Sequence, residues 1–257
     1  MIKFGLIGHP ISGSGSPALF AQAYGGRWPY DLIDEPSFEA AWSRFLADYK
    51  AINVTAPFKT AAFERIAACG RLSADAIACG AVNIVVKEAP GDAGCAQSAD
   101  GSGSSDCSSF VLAGYNSDYL GLKALLSAEG FAAGDVAVVA GFGGAGRAAA
   151  AAARALGMDV TVCNRTPAAG SRPLSELPLL AGVADIVIYT LPVAVPEVAE
   201  LLAGASTGPD APVVLEANYL SPCLENYAGR YISGRRWLLE QARAGYEIMT
   251  GEKSLPL

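Results

Sequence analysis

Histidine and paired cysteines are what this chain has least of. Its 257 residues include one histidine, His9, and six cysteines (69, 79, 95, 107, 163 and 223) with no CxxC pair among them. The ligand spacings of zinc sites are therefore missing, and no metal is expected. The cysteines read as free thiols, Cys95 and Cys107 being the pair that oxidation could join. His9, in "IGHP", fits a turn or a pocket wall better than a catalyst. Charge is also scarce, at 17% of residues, and the 18 basic side chains are thinly spread in a chain of net charge −7. That excludes the basic stripe by which proteins hold nucleic acid. Long apolar runs are lacking too: "AAAAAARALGMDVTVC" is broken by Arg154, Gly157 and Asp159 and falls short of the ~20 residues a membrane span needs. The opening "MIKFGLIGHP" has no signal-peptide layout. The expectation is a cytoplasmic protein whose partners are neither membranes nor nucleic acids.

What the chain does have is apolar material, 52% of residues, enough for sheets buried on both faces. At this length one core gives way to two domains of roughly 100–150 residues each. Short β-type runs alternate with helical stretches: "KFGLIG" then 17–25, "YDLID" then 37–48, "AINVT" then 58–69, "AVNIVVKE", and "FVLAG" then 119–129. A second series follows: "VAVVA" then 146–156, "VTVC", "DIVIYT" and "VVLEA". This rhythm implies largely parallel sheets. Between the series, "APGDAGCAQSADGSGSSDCSS" (89–109) is too poor in large apolar residues to build a core and reads as an exposed, mobile loop or hairpin tip. From "NRT" to "DIVIYT" the chain is short and interrupted by Pro173 and Pro178, so a full helix scarcely fits. The final "RRWLLEQARAGYEIMTG" sets Trp237, Leu238, Gln241, Ala242, Gly245, Tyr246 and Met249 at helical spacing, giving a helix with one packed side. The fold class is α/β with two domains and a cleft between them. One covers 1–115, has a mostly parallel sheet and is completed by the C-terminal helix 237–257; the other covers 116–236 and is Rossmann-type.

The Rossmann expectation rests on "VAVVAGFGGAGRAAAAAARALG". A buried strand is followed by Gly141, Gly143 and Gly146 as GxGxxG, with Gly144 and Ala145 inside the motif, and then by an alanine-rich helix. In that pattern the glycines serve the tight turn, the approach of backbone to a pyrophosphate, and close helix–strand contact. A glycine-rich turn without ligand is the other reading, and the position between strand and helix weighs against it. About 20 residues on, an NAD site usually carries Asp or Glu for the ribose 2′-OH. Here the strand ends in Asn164, Arg165 and Thr166. A guanidinium attracts a 2′-phosphate that a carboxylate would repel, so NADP is the expected cofactor, with NAD left open if Arg165 is only a solvated surface residue.

In the first half, "INVTAPFKTAAF" puts Lys59 in the opening turn of a helix, where the aligned dipoles disfavour a cation by roughly 0.3–1 kcal/mol. Such a lysine is either incidental and solvated or held for chemistry. Asp118, in "GYNSDYLG", has its own plain reading as the N-cap or first-turn residue of the next helix. Ser14 and Ser16 alone fit a solvated turn or helix cap. Taken together, however, "GHPISGSGSPALF", "NVTAPFK", "GAVN", "GYNSDYLG", "GFGGAGRAA", "NRT" and "LLEQA" resemble the shikimate dehydrogenase family, in order and across nearly the whole chain.

The resemblance implies substrate contacts at Ser14, Ser16, Asn53, Thr55, Asn83, Tyr219 and Gln241, and a catalytic pair, Lys59 and Asp118. It implies cofactor contacts at Gly141, Gly143, Gly144, Ala145, Gly146, Asn164, Arg165 and Thr166. Elementary chemistry fits such a set. A ring bearing hydroxyls and a carboxylate needs short donors and acceptors around it, and hydride transfer at a secondary alcohol leaves one proton for an acid/base group to move. For Lys59 the helix N-terminus lowers the pKa and a neighbouring aspartate raises it. The chain departs from the family at Gly13, where a histidine is usual, after "NRT", where the next basic residue is Arg172, and at Trp237, which replaces a methionine; Gly15 occupies the family's variable position. The implied activity is that of an oxidoreductase acting on a CH–OH group, the reversible NADP-dependent reduction of 3-dehydroshikimate to shikimate in aromatic amino-acid biosynthesis. Residues 1–115 would then bind the small-molecule substrate and 116–236 NADP, in a monomer or homodimer. An NAD-dependent quinate/shikimate dehydrogenase and a non-catalytic dinucleotide-binding sensor stay open.

Overall fold

Phe4–Gly8 (β1) is buried at every residue, as a strand covered on both faces must be. In the computed structural model, which describes residues 2–90, 110–166, 170–197 and 211–257, the chain divides into two compact units. Met1–Tyr115 and Gly245–Leu257 form the first, and Asn116–Ala244 form the second. Apart from Ala89 and Pro90, the loop expected at 89–109 lies outside the described residues, and Cys95 and Cys107 with it. Cys69, Cys79, Cys163 and Cys223 are free thiols. Among the described residues no helix is long and apolar enough to cross a membrane.

In the first unit, β2 (Tyr30–Asp34) and β3 (Ala51–Val54) flank β1 in parallel, with Phe4 opposite both Tyr30 and Ala51 and Leu6 opposite Asn53. Beyond them β5 (Ile84–Glu88) and β6 (Val111–Tyr115) run antiparallel, and the two-residue β4 (Arg71–Leu72) closes the order β2-β1-β3-β5-β6-β4. Side chains alternate between the faces. Ile7, Ile33, Ile52 and Val54 pack with Trp42 and Phe45 of helix α2 (Phe38–Asp48) and with Ile66 of α3 (Lys59–Cys69). The opposite face carries Phe4 and Tyr30, whose rings lie 5.2 and 4.8 Å from that of Phe20 in α1 (Ser16–Tyr24). Phe20 is fully buried, which contributes about 1.5–3 kcal/mol. The short helix α4 (Ala74–Cys79), capped by the Ser73 hydroxyl on the Ala76 N–H, has too few residues to show a period in sequence.

The second unit has a wholly parallel sheet built of β7 (Val136–Ala140), β8 (Asp159–Asn164), β9 (Ser171–Pro173), β10 (Ile186–Tyr189), β11 (Val213–Glu216) and β12 (Tyr231–Ser233). Their order, β12-β11-β10-β7-β8-β9, is the doubly wound 3-2-1-4-5-6 arrangement counted from β7. Its strand order reverses between β7 and β10, where such sheets take ligands. Helix α5 (Ser117–Ala128) precedes β7 and α6 (Gly144–Ala155) follows it. Between β8 and β10 there is no full helix among the described residues, only a 3-10 turn, Leu174–Glu176, and the five-residue α7 (Leu177–Ala181). The C-terminal helix spans Gly234–Thr250, starting ahead of the expected 237. The Ser233 hydroxyl accepts the Arg235 N–H at 3.3 Å, a capping bond that fixes the earlier start. Its residues through Ala244 group with the second unit and those from Gly245 with the first.

Candidate functional site

The serine loop follows β1. The Ser14 N–H bonds the Ile11 carbonyl at 2.9 Å, and the Ser14 hydroxyl donates to Ser16 Oγ at 3.1 Å while accepting the Ser16 N–H at 3.3 Å. The two hydroxyls therefore face one another. Asn53, half-buried on β3, accepts the Tyr30 hydroxyl on Oδ1 at 2.7 Å. The Tyr246 hydroxyl donates to the Ser16 carbonyl at 3.2 Å. Burial raises the pKa of both phenols and keeps them protonated. Tyr30 and Tyr246 are additions to the expected set. In sequence they show only as a strand residue and an apolar helix position.

Thr55 leaves β3 with its N–H on the Ile7 carbonyl at 3.0 Å, and its own carbonyl takes the Phe58 N–H at 2.9 Å. That turn delivers Lys59 as the first residue of α3, behind a cap with no side-chain hydrogen bond. The Lys59 carbonyl accepts the Val82 N–H at 3.2 Å, and the carbonyl of the buried Asn83 accepts the Val54 N–H at 2.8 Å. Main-chain bonds thus gather Asn53, Thr55, Lys59 and Asn83 where β3 ends and β5 begins. His9 lies aside from this: its Nδ1 bonds Asp34 at 2.8 Å, and Asp34 also takes the Ile11 N–H at 3.1 Å. The Ile11 N–H first, and His9 second, lower the Asp34 pKa, so the histidine serves a turn.

In the second unit, Gly141 has φ +98°, and a Cβ there would stand 2.7 Å from Thr190 Oγ1; at Gly146 it would stand 2.1 Å from the Gly141 carbonyl oxygen. One glycine makes the turn and the other lets helix meet strand. Above Gly143 and Gly144 a Cβ would meet nothing within 4 Å. Helix α6 begins after Gly143 with no side-chain cap, so its first N–H groups and the positive end of its dipole, beside Ala145, suit an anion. Asn164 ends β8 with its amide on the Thr166 carbonyl at 3.0 Å, while Arg165 and Thr166 are exposed. Arg172 is paired with Glu176 at 2.6 Å. An open glycine turn, uncapped N–H groups and an exposed guanidinium at the end of the second strand fit a 2′-phosphorylated dinucleotide.

Asn116, rather than Asp118, caps α5: its Oδ1 accepts the Tyr119 N–H at 3.1 Å. Asp118 stands in the first turn, where a carboxylate is favourable, and its main-chain oxygen accepts the indole N–H of Trp237 at 2.8 Å. The buried Ser117 donates to Gln241 Oε1 at 3.0 Å. A Cβ on Gly121 would lie 2.3 Å from the Gln241 nitrogen, so glycine is what lets α5 and the C-terminal helix approach so closely. Trp237 thus ties that helix to Asp118. Tyr219, 40% exposed, stands on the loop after β11. Two residues with no assigned part in the sequence reading shape this loop. Glu216, fully buried, accepts the N–H groups of Cys223 and Leu224 at 2.7 and 3.0 Å and the Tyr231 hydroxyl at 3.0 Å. Asn218 donates to the carbonyls of Pro192 and Ser221 at 3.1 and 2.9 Å. Burial and the bond to Glu216 push the Cys223 thiol up to about 11, so it stays protonated. The sequence sign of this anchor is a lone acid closing the apolar run "VVLE".

A family model described as the shikimate dehydrogenase substrate binding domain matches residues 6–85. The chain is 34% identical over 173 residues to shikimate dehydrogenase (NADP(+)) of Thermus thermophilus, a match taking in 65% of this chain, which spans 57% of that relative's length. To shikimate dehydrogenase (NADP(+)) of Halobacterium salinarum it is 32% identical over 219 residues, 82% of this chain and 72% of that one. The chain belongs to the shikimate dehydrogenase family. The solved structure of shikimate 5-dehydrogenase from Thermus thermophilus, in complex with NADP(H) and shikimate, superposes with a TM-score of 0.75 at 28% identity, over 100% of this chain and 96% of that one. The mixed α/β fold with two sheets is therefore that of shikimate dehydrogenases. Against the family's pattern, Trp237 is a built part of this chain's second unit, and Arg172 is engaged by Glu176.

Proposed function

We propose that this chain catalyses the reversible, NADP-dependent reduction of 3-dehydroshikimate to shikimate. The observation that carries the reading is the gathering of short hydroxyl and amide side chains with Lys59 on the first unit, in a chain whose second unit holds an uncapped glycine-loop helix and Arg165. The names of its relatives and the ligands of the superposable Thermus structure support it. Ser14, Ser16, Asn53, Thr55, Asn83, Tyr219 and Gln241 hold a ring bearing hydroxyls and a carboxylate. NADPH, when bound, supplies a hydride to the ketone carbon. Lys59 gives its ammonium proton to the oxygen of that carbonyl, and takes it back from the hydroxyl in the reverse direction. Asp118 has the role of orienting the ammonium. The same reading puts the enzyme in the cytoplasm, in aromatic amino-acid biosynthesis, as a monomer or homodimer, with 1–115 as substrate domain and 116–236 as cofactor domain.

Incubation of the purified chain with shikimate and NADP, followed by nicotinamide absorbance, tests the reading: steady NADP reduction is expected. Cofactor binding by calorimetry with no turnover would instead make the chain a dinucleotide sensor. Arg165→Ala should raise the KM for NADP by about tenfold or more, the scale of a lost charge-assisted contact of roughly 1.5–3 kcal/mol, and leave the KM for NAD within about twofold. Equal losses for both cofactors would remove the 2′-phosphate contact from the account.

A further inference from the structure

Tyr30 opens β2 opposite Phe4, and Asn53 lies on β3 opposite Leu6. Residues two apart on a strand share a face. The phenol, on one neighbour of β1, and the carboxamide, on the other, therefore project from the same side of the sheet, and the tyrosine is long enough to reach across the central strand. Its hydroxyl donates to Asn53 Oδ1 at 2.7 Å. The two side chains thus form one hydrogen-bonded pair across β1.

That pair has a direction. A carboxamide oxygen can only accept, so Tyr30 must give Asn53 its proton. With its oxygen engaged, the carboxamide has its NH2 group left for a ligand's oxygens. The ring that sets this order is itself fixed, packed 4.8 Å from Phe20 and 6.1 Å from Tyr246. Burial raises the phenol's pKa well above its ordinary value, so it remains a donor throughout the working pH range.

We propose that Tyr30 is a positioning residue of the substrate site, holding the Asn53 carboxamide with its NH2 group toward the substrate. The proposal rests on the reading of the chain as a shikimate dehydrogenase. Tyr30 itself touches no reacting atom. Its hydroxyl acts through Asn53, so its loss weakens the binding of substrate and spares both the chemical step and the cofactor.

Tyr30→Phe removes one oxygen and keeps the ring among its aromatic neighbours. Steady-state kinetics of this variant with shikimate and NADP should show the KM for shikimate raised about five- to tenfold, the scale of one lost hydrogen bond, with kcat and the KM for NADP within about twofold. Repeated in the Asn53→Ala background, the same change should have most of its effect on kcat/KM removed, because the group it acts through is gone. A normal KM in Tyr30→Phe, an equal rise in the KM for NADP, or an undiminished loss in the Asn53→Ala background would overturn the proposal while leaving the shikimate dehydrogenase reading intact. A wild-type chain that does not oxidise shikimate would overturn both.

Discussion

Lys59→Ala should lower kcat for shikimate oxidation by about 10²-fold or more, the usual scale for a lost general acid/base, while the KM for shikimate changes only a few-fold. Lys59 is half-buried at the first position of α3, behind a cap that contributes no side-chain bond. Helix formation does not ask for a lysine there: the dipole opposes it, and alanine is the better helix former. The variant should therefore still fold cooperatively. Turnover lost while the fold is kept is the signature of a residue kept for chemistry. Lys59→Arg should not restore the rate, because a guanidinium keeps its proton across the working range. Near-normal turnover in Lys59→Ala would remove the lysine from the proton transfer.

Glu216→Gln should cost about 2–4 kcal/mol of folding stability. The wild-type side chain is fully buried and receives two main-chain N–H groups and the Tyr231 hydroxyl. Glutamine keeps one acceptor oxygen and turns an NH2 group toward donors that need acceptors, and each buried group left unpaired costs about 1–3 kcal/mol. For a chain of this size each kcal/mol lowers the melting temperature by roughly 2–4 °C, so thermal unfolding should report a fall on the order of 4–16 °C. Because Glu216 ties down the loop that carries Tyr219, the KM for shikimate should rise as well. An unchanged melting temperature would mean that the loop is held by Asn218 and its carbonyl partners alone.

The α/β fold was legible because its signals are local. The run "VAVVA" followed by GxGxxG needs no distant contact to declare a strand, a turn and a helix, and the positive φ of Gly141 and the crowding at Gly146 are what those glycines are for. The short α4 was not legible, since six residues hold under two turns. Asn116, Ser117 and Asp118 are all capping types, so sequence could put a helix start there without choosing which side chain caps; the hydrogen bond from the Tyr119 N–H selects Asn116. The bond from Tyr30 to Asn53 was invisible for another reason. Its partners come from β2 and β3, and only the register Phe4↔Tyr30 and Leu6↔Asn53 brings them together. Glu216 likewise gives no sign in sequence of the three donors that converge on it. Trp237, noticed in sequence as a departure, gained its meaning only from the Asp118 carbonyl it bonds.

The most direct test of the central claim is the comparison of kcat/KM for shikimate and for quinate, each with NADP and with NAD, on the wild-type chain. Arg165 at the end of β8 and the serine, asparagine and lysine set of the first unit predict the largest value for shikimate with NADP. A clear preference for quinate with NAD would contradict the account.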